Sequence, residues 1–294
     1  MSQKIKYLSI GHCCYDKMDD QFVLGGTASY ASLLANRLGA DTHLLTSYGD
    51  DFLFGKDFAR TDISVTNILS EETTVFQNNY EDSIRTQTLL ARARSISSKD
   101  LENLSEQYDI THISPIADEV DLELLNSLDK EKLTVATPQG WLRQWDESGI
   151  VSYKPIDWNL LSEIDFVIIS EEDIADFKTQ LPLIKEAVKA LIVTRGKDGS
   201  IIYNGKVEAH FPAYASTVVD PTGAGDTFAT GFIMRYAKTG EIVDSMIYAN
   251  CLASICVEYQ GTTFFDHLED IERRMSFYKK NLLNLNAASP MRIK

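Results

Sequence analysis

Short apolar runs recur at residues 5–10, 133–136, 164–169 and 190–194, each closed by Gly, Ser, Thr or a charged residue. Apolar character on successive residues is what a strand buried on both faces needs, so these runs predict a covered parallel sheet. Residues 41–47 and 109–113 read as further strands. Segments 27–38, 51–60, 122–128, 224–237, 241–259 and 268–282 read as helices, several of them amphipathic. Strand and helix alternate, the pattern of an α/β domain with helices on both faces of its sheet. Two runs break the alternation: 73–79 and 84–91 are extended and joined by Tyr80-Glu81-Asp82-Ser83, which predicts a hairpin. Residues 21–24 form a brief extended piece, 141–154 show no period and predict no element, and 283–294 read as a frayed tail.

The length of 294 residues suits one large α/β domain or two small ones, and the hydrophobic fraction of 44% supports a substantial core. A formal net charge of -15 argues against nucleic acid or an anionic membrane as partner. It leaves room for a nucleotide, which needs only a local positive site and a metal. Residues 1–7 lack the apolar centre of a signal peptide and no run has the length of a membrane span, so a cytoplasmic protein is expected. Cys13, Cys14, Cys251 and Cys256 form no ligand spacing and read as buried thiols. His12, Cys13 and Cys14 leave a strand, where neighbours point to opposite faces, so they do not converge on a metal.

The chemistry concentrates at residues 218–233, V-V-D-P-T-G-A-G-D-T-F-A-T-G-F-I, where an extended run exits through Pro221 into a helix beginning near Ala224. A helix N-terminus presents amides without intrahelical partners and the positive end of the peptide dipoles, which favours a phosphoryl group. Gly223 and Gly225 remove the Cβ atoms that would hold such a group away. Asp226 stands in the first turn. It is either a helix-capping acid or a base accepting the proton of a hydroxyl that attacks phosphorus.

The string Asp220-Pro221-Thr222-Gly223-Ala224-Gly225-Asp226 resembles the second signature of the ribokinase-like, or PfkB-type, carbohydrate kinases, with Pro221 where Thr is usual. The first signature of that family is matched by G-G-T-A-S-Y-A from Gly25, and motifs follow in family order from Asp16 to Thr262. The resemblance implies a three-layer α/β/α ribokinase-like fold with a mostly parallel central sheet, one domain over 1–294. It also implies a small β-strand lid built from about 17–24 and 72–92. The implied activity is ATP-dependent phosphorylation of a hydroxyl, with Gly223, Ala224 and Gly225 as anion hole and Asp226 as base.

Substrate contacts implied by the resemblance are Asp16, Gly25, Gly26 and Gln139, with Tyr30 and Arg85 as further candidates. Each has a plainer reading. Asp16 suits a turn, Tyr30 a packed helix face, and Arg85 a solvated lid edge. Thr194, Gly196 and Gly199, in a T-x-G-x-x-G string, fall to the nucleotide with Thr222 and Asn250, although a Gly-rich turn between strands needs no ligand. Asp173 and Glu172 occupy the place of the acid that organises Mg²⁺, and Ser170 stands there as an equally good helix cap. A monovalent cation near Asp220 and a homodimer through the lid are implied by resemblance alone.

Tyr30, Gln139 and the short lid resemble the myo-inositol kinase branch, making a myo-inositol-like polyol the leading acceptor. Ribose, fructose or a nucleoside is the alternative within the family, and a sugar- or nucleotide-binding homologue without catalysis is the alternative outside it.

Overall fold

The computed structural model describes residues 4–18, 21–81, 84–104 and 106–288, with the side chains of 80, 81, 84, 85 and 283–288 outside the described set. In chain order the elements begin with β1 (Lys6–Ile10), β2 (Cys14–Met18), β3 (Gln21–Gly25), α1 (Thr27–Arg37), β4 (Asp41–Thr46), α2 (Gly55–Ala59) and β5 (Ser64–Asn67). The lid hairpin β6 (Thr74–Glu81) and β7 (Ile84–Ala91) is followed by α3 (Ser98–Glu102), β8 (Ile110–Ile113) and β9 (Leu133–Ala136). Then come β10 (Arg143–Trp145), β11 (Val151–Tyr153), β12 (Phe166–Ser170), α4 (Phe177–Ala187), β13 (Ala190–Thr194), β14 (Ser200–Asn204) and β15 (Val207–Phe211). Helices α5 (Ala224–Thr239), α6 (Ile242–Cys256) and α7 (Ile271–Ala288) complete the chain.

Nine strands form the central sheet in the order β15-β14-β13-β12-β9-β8-β1-β4-β5. Neighbours from β13 to β5 are all parallel, and β14 and β15 are added antiparallel at one edge. Successive residues of each strand feed different cores, which is why the buried strands read as continuous apolar runs. Tyr7, Phe166, Ile168 and Ile192 pack toward α1, α5 and α6. Leu8, Val167, Ile169 and Leu191 pack the opposite way, against Leu124, Leu161 and Ile184. The three-layer expectation therefore holds. Among the described residues no helix is long and apolar enough to cross a membrane, and the four cysteines are free and buried.

A second sheet, β3-β2-β6-β7, forms the lid. It starts earlier than the sequence suggests: Gly11, His12 and Cys13 suffice to leave the central sheet, and β2 already belongs to the lid. Asp16 therefore sits within a lid strand rather than on a loop beyond β1. Other boundaries also move. The helix expected over 51–60 shrinks to α2, the one expected over 122–128 is a 3₁₀ segment, Leu122–Ser127, and residues 143–145 and 151–153 pair as a hairpin. The last helix runs on through Ala288 where a frayed tail was expected, and the remaining residues, like the Asp82-Ser83 turn, lie outside the described set.

Two buried polar groups pin the lid to the sheet. The His12 ring bonds the Thr74 hydroxyl at the root of β6 (2.8 Å) and the Arg94 carbonyl just beyond β7 (2.8 Å). Glu119, fully buried, accepts from the amides of His12 (2.9 Å), Ile116 (2.9 Å) and Ala117 (2.6 Å). A carboxylate holding three amides in the interior satisfies groups that would otherwise be orphaned. Glu119→Ala should therefore destabilise the fold by about 3 kcal/mol, read as a lower urea midpoint, because it strands buried donors and opens a cavity.

Candidate active site

The carboxyl ends of the parallel strands bring the predicted residues to one end of the sheet, where open α/β sheets bind ligands. From β1 the chain turns into Asp16 of β2; from β9 it reaches Gln139; from β12 it reaches Asp173; and α5 starts with the signature turn. Gly223 adopts φ 74 as the residue before α5. A Cβ there would lie 2.7 Å from the Tyr30 ring, so both conformation and space require glycine. Tyr30 is 4% exposed and packs against this turn, the plainer of its two readings.

The anion hole differs in detail from the expectation. Ala224 donates its amide to the Pro221 carbonyl (3.2 Å), while the amides of Gly223, Gly225 and Asp226 meet no acceptor among the described residues. A Cβ on Gly225 would enter open space. Among the described residues the amides of Gly223, Gly225 and Asp226 thus remain as free donors of the turn, while that of Ala224 is spent within it. Asp220 braces the turn from below: its carboxylate accepts from Thr222 N–H (2.9 Å) and from Gly261 N–H (3.1 Å) beyond α6. Burial pushes the Asp220 carboxyl up, but these donors outweigh it and hold the group below its usual range.

Asp226 is only partly accessible. Burial, the largest influence, raises its pKa to about 6; the Thr27 hydroxyl and Arg143 oppose the rise, while Asp173 and Asp16 add to it. Thr27 does not cap α1: Gly26 (φ 93) precedes the helix and Thr27 is its first residue. Its hydroxyl instead faces Asp226 and accepts from Gln139 Nε2 (2.7 Å). Gln139 Oε1 in turn accepts from Arg143 (3.0 Å), a buried residue within the segment that showed no period. No local sequence signal marks it, since Gln139 lies in a short 3₁₀ turn and Arg143 opens strand β10.

On the lid, Asn78 donates to Asp16 (3.4 Å) and Gln87 donates to Asn78 (3.0 Å). A Cβ on Gly25 would fall 2.4 Å from the Asp16 carboxylate, and one on Gly26 equally close to the His12 carbonyl. These glycines let strand β3 and α1 approach Asp16. Neither Asn78 nor Gln87 carries a motif that sequence reading could have isolated. Arg85 pairs with Tyr80 in the lid hairpin, and its side chain lies outside the described residues.

The remaining candidates divide. Asp173 is close enough to act on Asp226, whereas Glu172 is exposed and its amide is capped by Ser170 (3.3 Å). Thr194 ends β13 beside this region, and Gly196 (φ 51) meets no neighbour that a Cβ would strike. Gly199 is required by the fold, since a Cβ there would collide with the Phe211 carbonyl. Asn250 is buried and committed to Ser200 (2.9 Å) and to the Met246 carbonyl (2.8 Å), a bridge between α6 and β14 rather than a group facing a ligand. Thr222 is exposed on the turn.

Residues 16–269 match the profile of the pfkB family carbohydrate kinases. The chain belongs to this family. It is therefore a phosphotransferase with an alcohol acceptor, and its fold is ribokinase-like. The cytidine kinase of Thermococcus kodakarensis is 28% identical over 252 residues, 78% of this chain and 87% of the relative. The inositol 3-kinase of Arabidopsis thaliana is 25% identical over 298 residues, 92% of this chain and 80% of the relative. Among solved structures, a pyrophosphate-dependent kinase of the ribokinase family superposes with TM-score 0.78 at 20% identity, covering 90% of this chain and 99% of its own. A pyrophosphate-dependent myo-inositol-1 kinase variant superposes with TM-score 0.76 at 20% identity, covering 93% and 100%.

A pfkB kinase with a desolvated Asp226 holds that carboxyl at a cost to its own stability. A carboxyl whose folded pKa is raised favours the native state fully below its unfolded value of 3.8 and loses that contribution as pH rises through about 6. Asp226→Asn should therefore raise Tm at pH 8 by about 3 °C, with the gain disappearing toward pH 4. Differential scanning calorimetry at the two pH values checks the sign.

Proposed function

We propose that this pfkB kinase transfers the γ-phosphoryl group of ATP to a hydroxyl of a small polyol of the myo-inositol type, with Asp226 as general base. The observation that carries the reading is the meeting of a carboxylate raised to about 6 with free amides at a helix N-terminus. The amides of Gly223, Gly225 and Asp226 would receive the charge that spreads over the transferring group, while Asp226 takes the acceptor proton. Asp16, Asn78, Gln87 and Gln139 supply donors and acceptors suited to several hydroxyls. The nearby rings of Tyr30 and Phe76 are buried in packing, which favours a polyol over a base that needs a stacking face.

No three His, Cys, Asp or Glu side chains among the described residues converge as a metal cage. The Asp173 carboxylate, near enough to Asp226 to act on its charge, suits Mg²⁺, which keeps several waters and leans on one or two carboxylates plus substrate phosphates. Asp173 would hold it, with Glu172 further out, and Mg²⁺ when bound neutralises charge on the phosphate oxygens. A second reading of each substrate has its own support. The cytidine kinase relative favours a nucleoside acceptor, and the pyrophosphate-dependent neighbours favour pyrophosphate as donor.

Phosphate transfer measured with ATP and with pyrophosphate, across polyols, pentoses, hexoses and nucleosides, decides among these readings. Highest kcat/KM is expected with ATP and a cyclic polyol, and Asp226→Asn should lower kcat by about two to four orders of magnitude. Cytidine as best acceptor would replace the polyol reading. The kcat profile should fall on the acid side with a midpoint near pH 6, where Asp226 becomes protonated.

A further inference from the structure

The hydrogen bonds that lead to Asp226 have a fixed direction. Arg143 is 8% exposed, lies over the Phe76 ring at 5.4 Å and makes no ion pair with any carboxylate among the described residues. Its guanidinium donates to the Ile116 carbonyl (2.9 Å) and to Gln139 Oε1 (3.0 Å). A guanidinium has donors and no acceptor, so the Gln139 atom that meets it must be the oxygen. The orientation of the amide, ordinarily ambiguous, is thereby settled by chemistry. Gln139 Nε2 is left facing Thr27 Oγ1 at 2.7 Å, and it can only donate. Thr27, itself 1% exposed, has accepted one bond and keeps one proton to give, and the carboxylate beside it is Asp226.

We propose that Arg143 is a positioning residue: acting through Gln139, it obliges the Thr27 hydroxyl to donate to Asp226 and so fixes that carboxylate in one orientation as proton acceptor. The inference rests on Asp226 being the base. The groups that face Asp226 make the donor valuable. Asp173 from beyond β12 and Asp16 from β2 repel its charge, Arg143 attracts it, and Tyr7, Tyr30 and Cys256, on β1, α1 and α6, lie within reach of that charge. Among the neutral groups of this shell, the Thr27 hydroxyl is the one whose hydrogen bonding favours the charged form of the carboxylate. Arg143 thus serves the site twice, by its charge and by setting the polarity of a chain that ends on the reacting group.

The test is a set of kcat and KM measurements with the best acceptor on Thr27→Val, Thr27→Ser, Arg143→Met, Gln139→Glu and the Thr27→Val/Arg143→Met double variant. Asp226→Asn serves as reference, and Tm is recorded for each. Loss of a hydrogen bond to a charged group corresponds to about 10- to 100-fold in kcat, expected for Thr27→Val and for Arg143→Met alike. Thr27→Ser should recover most of what Thr27→Val loses. The double variant should be no slower than the worse single one, because both break the same chain. Gln139→Glu keeps the bulk and gives Arg143 an ion-pair partner, yet it should lose turnover as Thr27→Val does, since a carboxylate draws the Thr27 proton away from Asp226. The acid limb of kcat should also move to higher pH in Thr27→Val.

Losses that multiply in the double variant, a rise in KM alone for Arg143→Met, or full turnover in Gln139→Glu would overturn the proposal. Should Arg143→Met fail to fold, Thr27→Val and Gln139→Glu carry the test between them. Full turnover in Asp226→Asn would instead refute the base assignment itself, a distinguishable failure.

Discussion

The proposed site depends on taking one carboxylate out of bulk water while leaving it able to accept a proton. Burial raises the Asp226 carboxyl above its ordinary range, and Asp173 and Asp16 press in the same direction. A donor from Thr27 and the charge of Arg143 limit the rise to about 6, so the group is ionised at neutral pH yet far more basic than an ordinary carboxylate. That compromise is what general-base chemistry near pH 7 asks for. The rest of the architecture can be understood as the means of assembling it: β1 and β9 end level with one another, β12 runs three residues further to Ser170, and α1 packs with α5 on one face of the sheet.

The lid and the anion turn bring different kinds of order to this place. On the lid side, Asp16, Asn78 and Gln87 form a chain of short polar side chains on three paired strands, whose roots are tied to the sheet by His12 and Glu119. The lid is therefore rooted in buried hydrogen bonds rather than in a slack linker. On the turn side, Asp220 clamps the signature to the loop beyond α6, and Tyr30 fills the space under Gly223. The backbone amides are held before any ligand arrives, which is the condition for electrostatic stabilisation without reorganisation.

Much of this was legible in the chain itself because its signals are local. Buried strands such as 166–170 and 190–194 announce themselves by apolar continuity, and the signature turn needs glycines for reasons of backbone geometry. What stayed hidden depends on contacts between distant segments. Asp16 reads as a residue beyond β1 because three residues, Gly11 to Cys13, are all that separate two different sheets. Strand β5, short and polar in S-V-T-N, gains its identity only by pairing with β4. Arg143 lies in a stretch without period, and nothing local distinguishes it from a surface arginine until Gln139 and Phe76 close around it. Asn250 fails the other way: its family position suggests a ligand contact, and its surroundings give it a core bridge.

The most direct measurement is the titration of the Asp226 carboxyl by ¹³C NMR, using protein labelled at aspartate side chains and Asp226→Asn to assign the resonance. The account predicts a midpoint near pH 6, with all chemical shift change complete by about pH 8. A midpoint near the ordinary aspartate value of about 4 would contradict it, because the carboxylate would then be solvated and the case for a tuned base would fall.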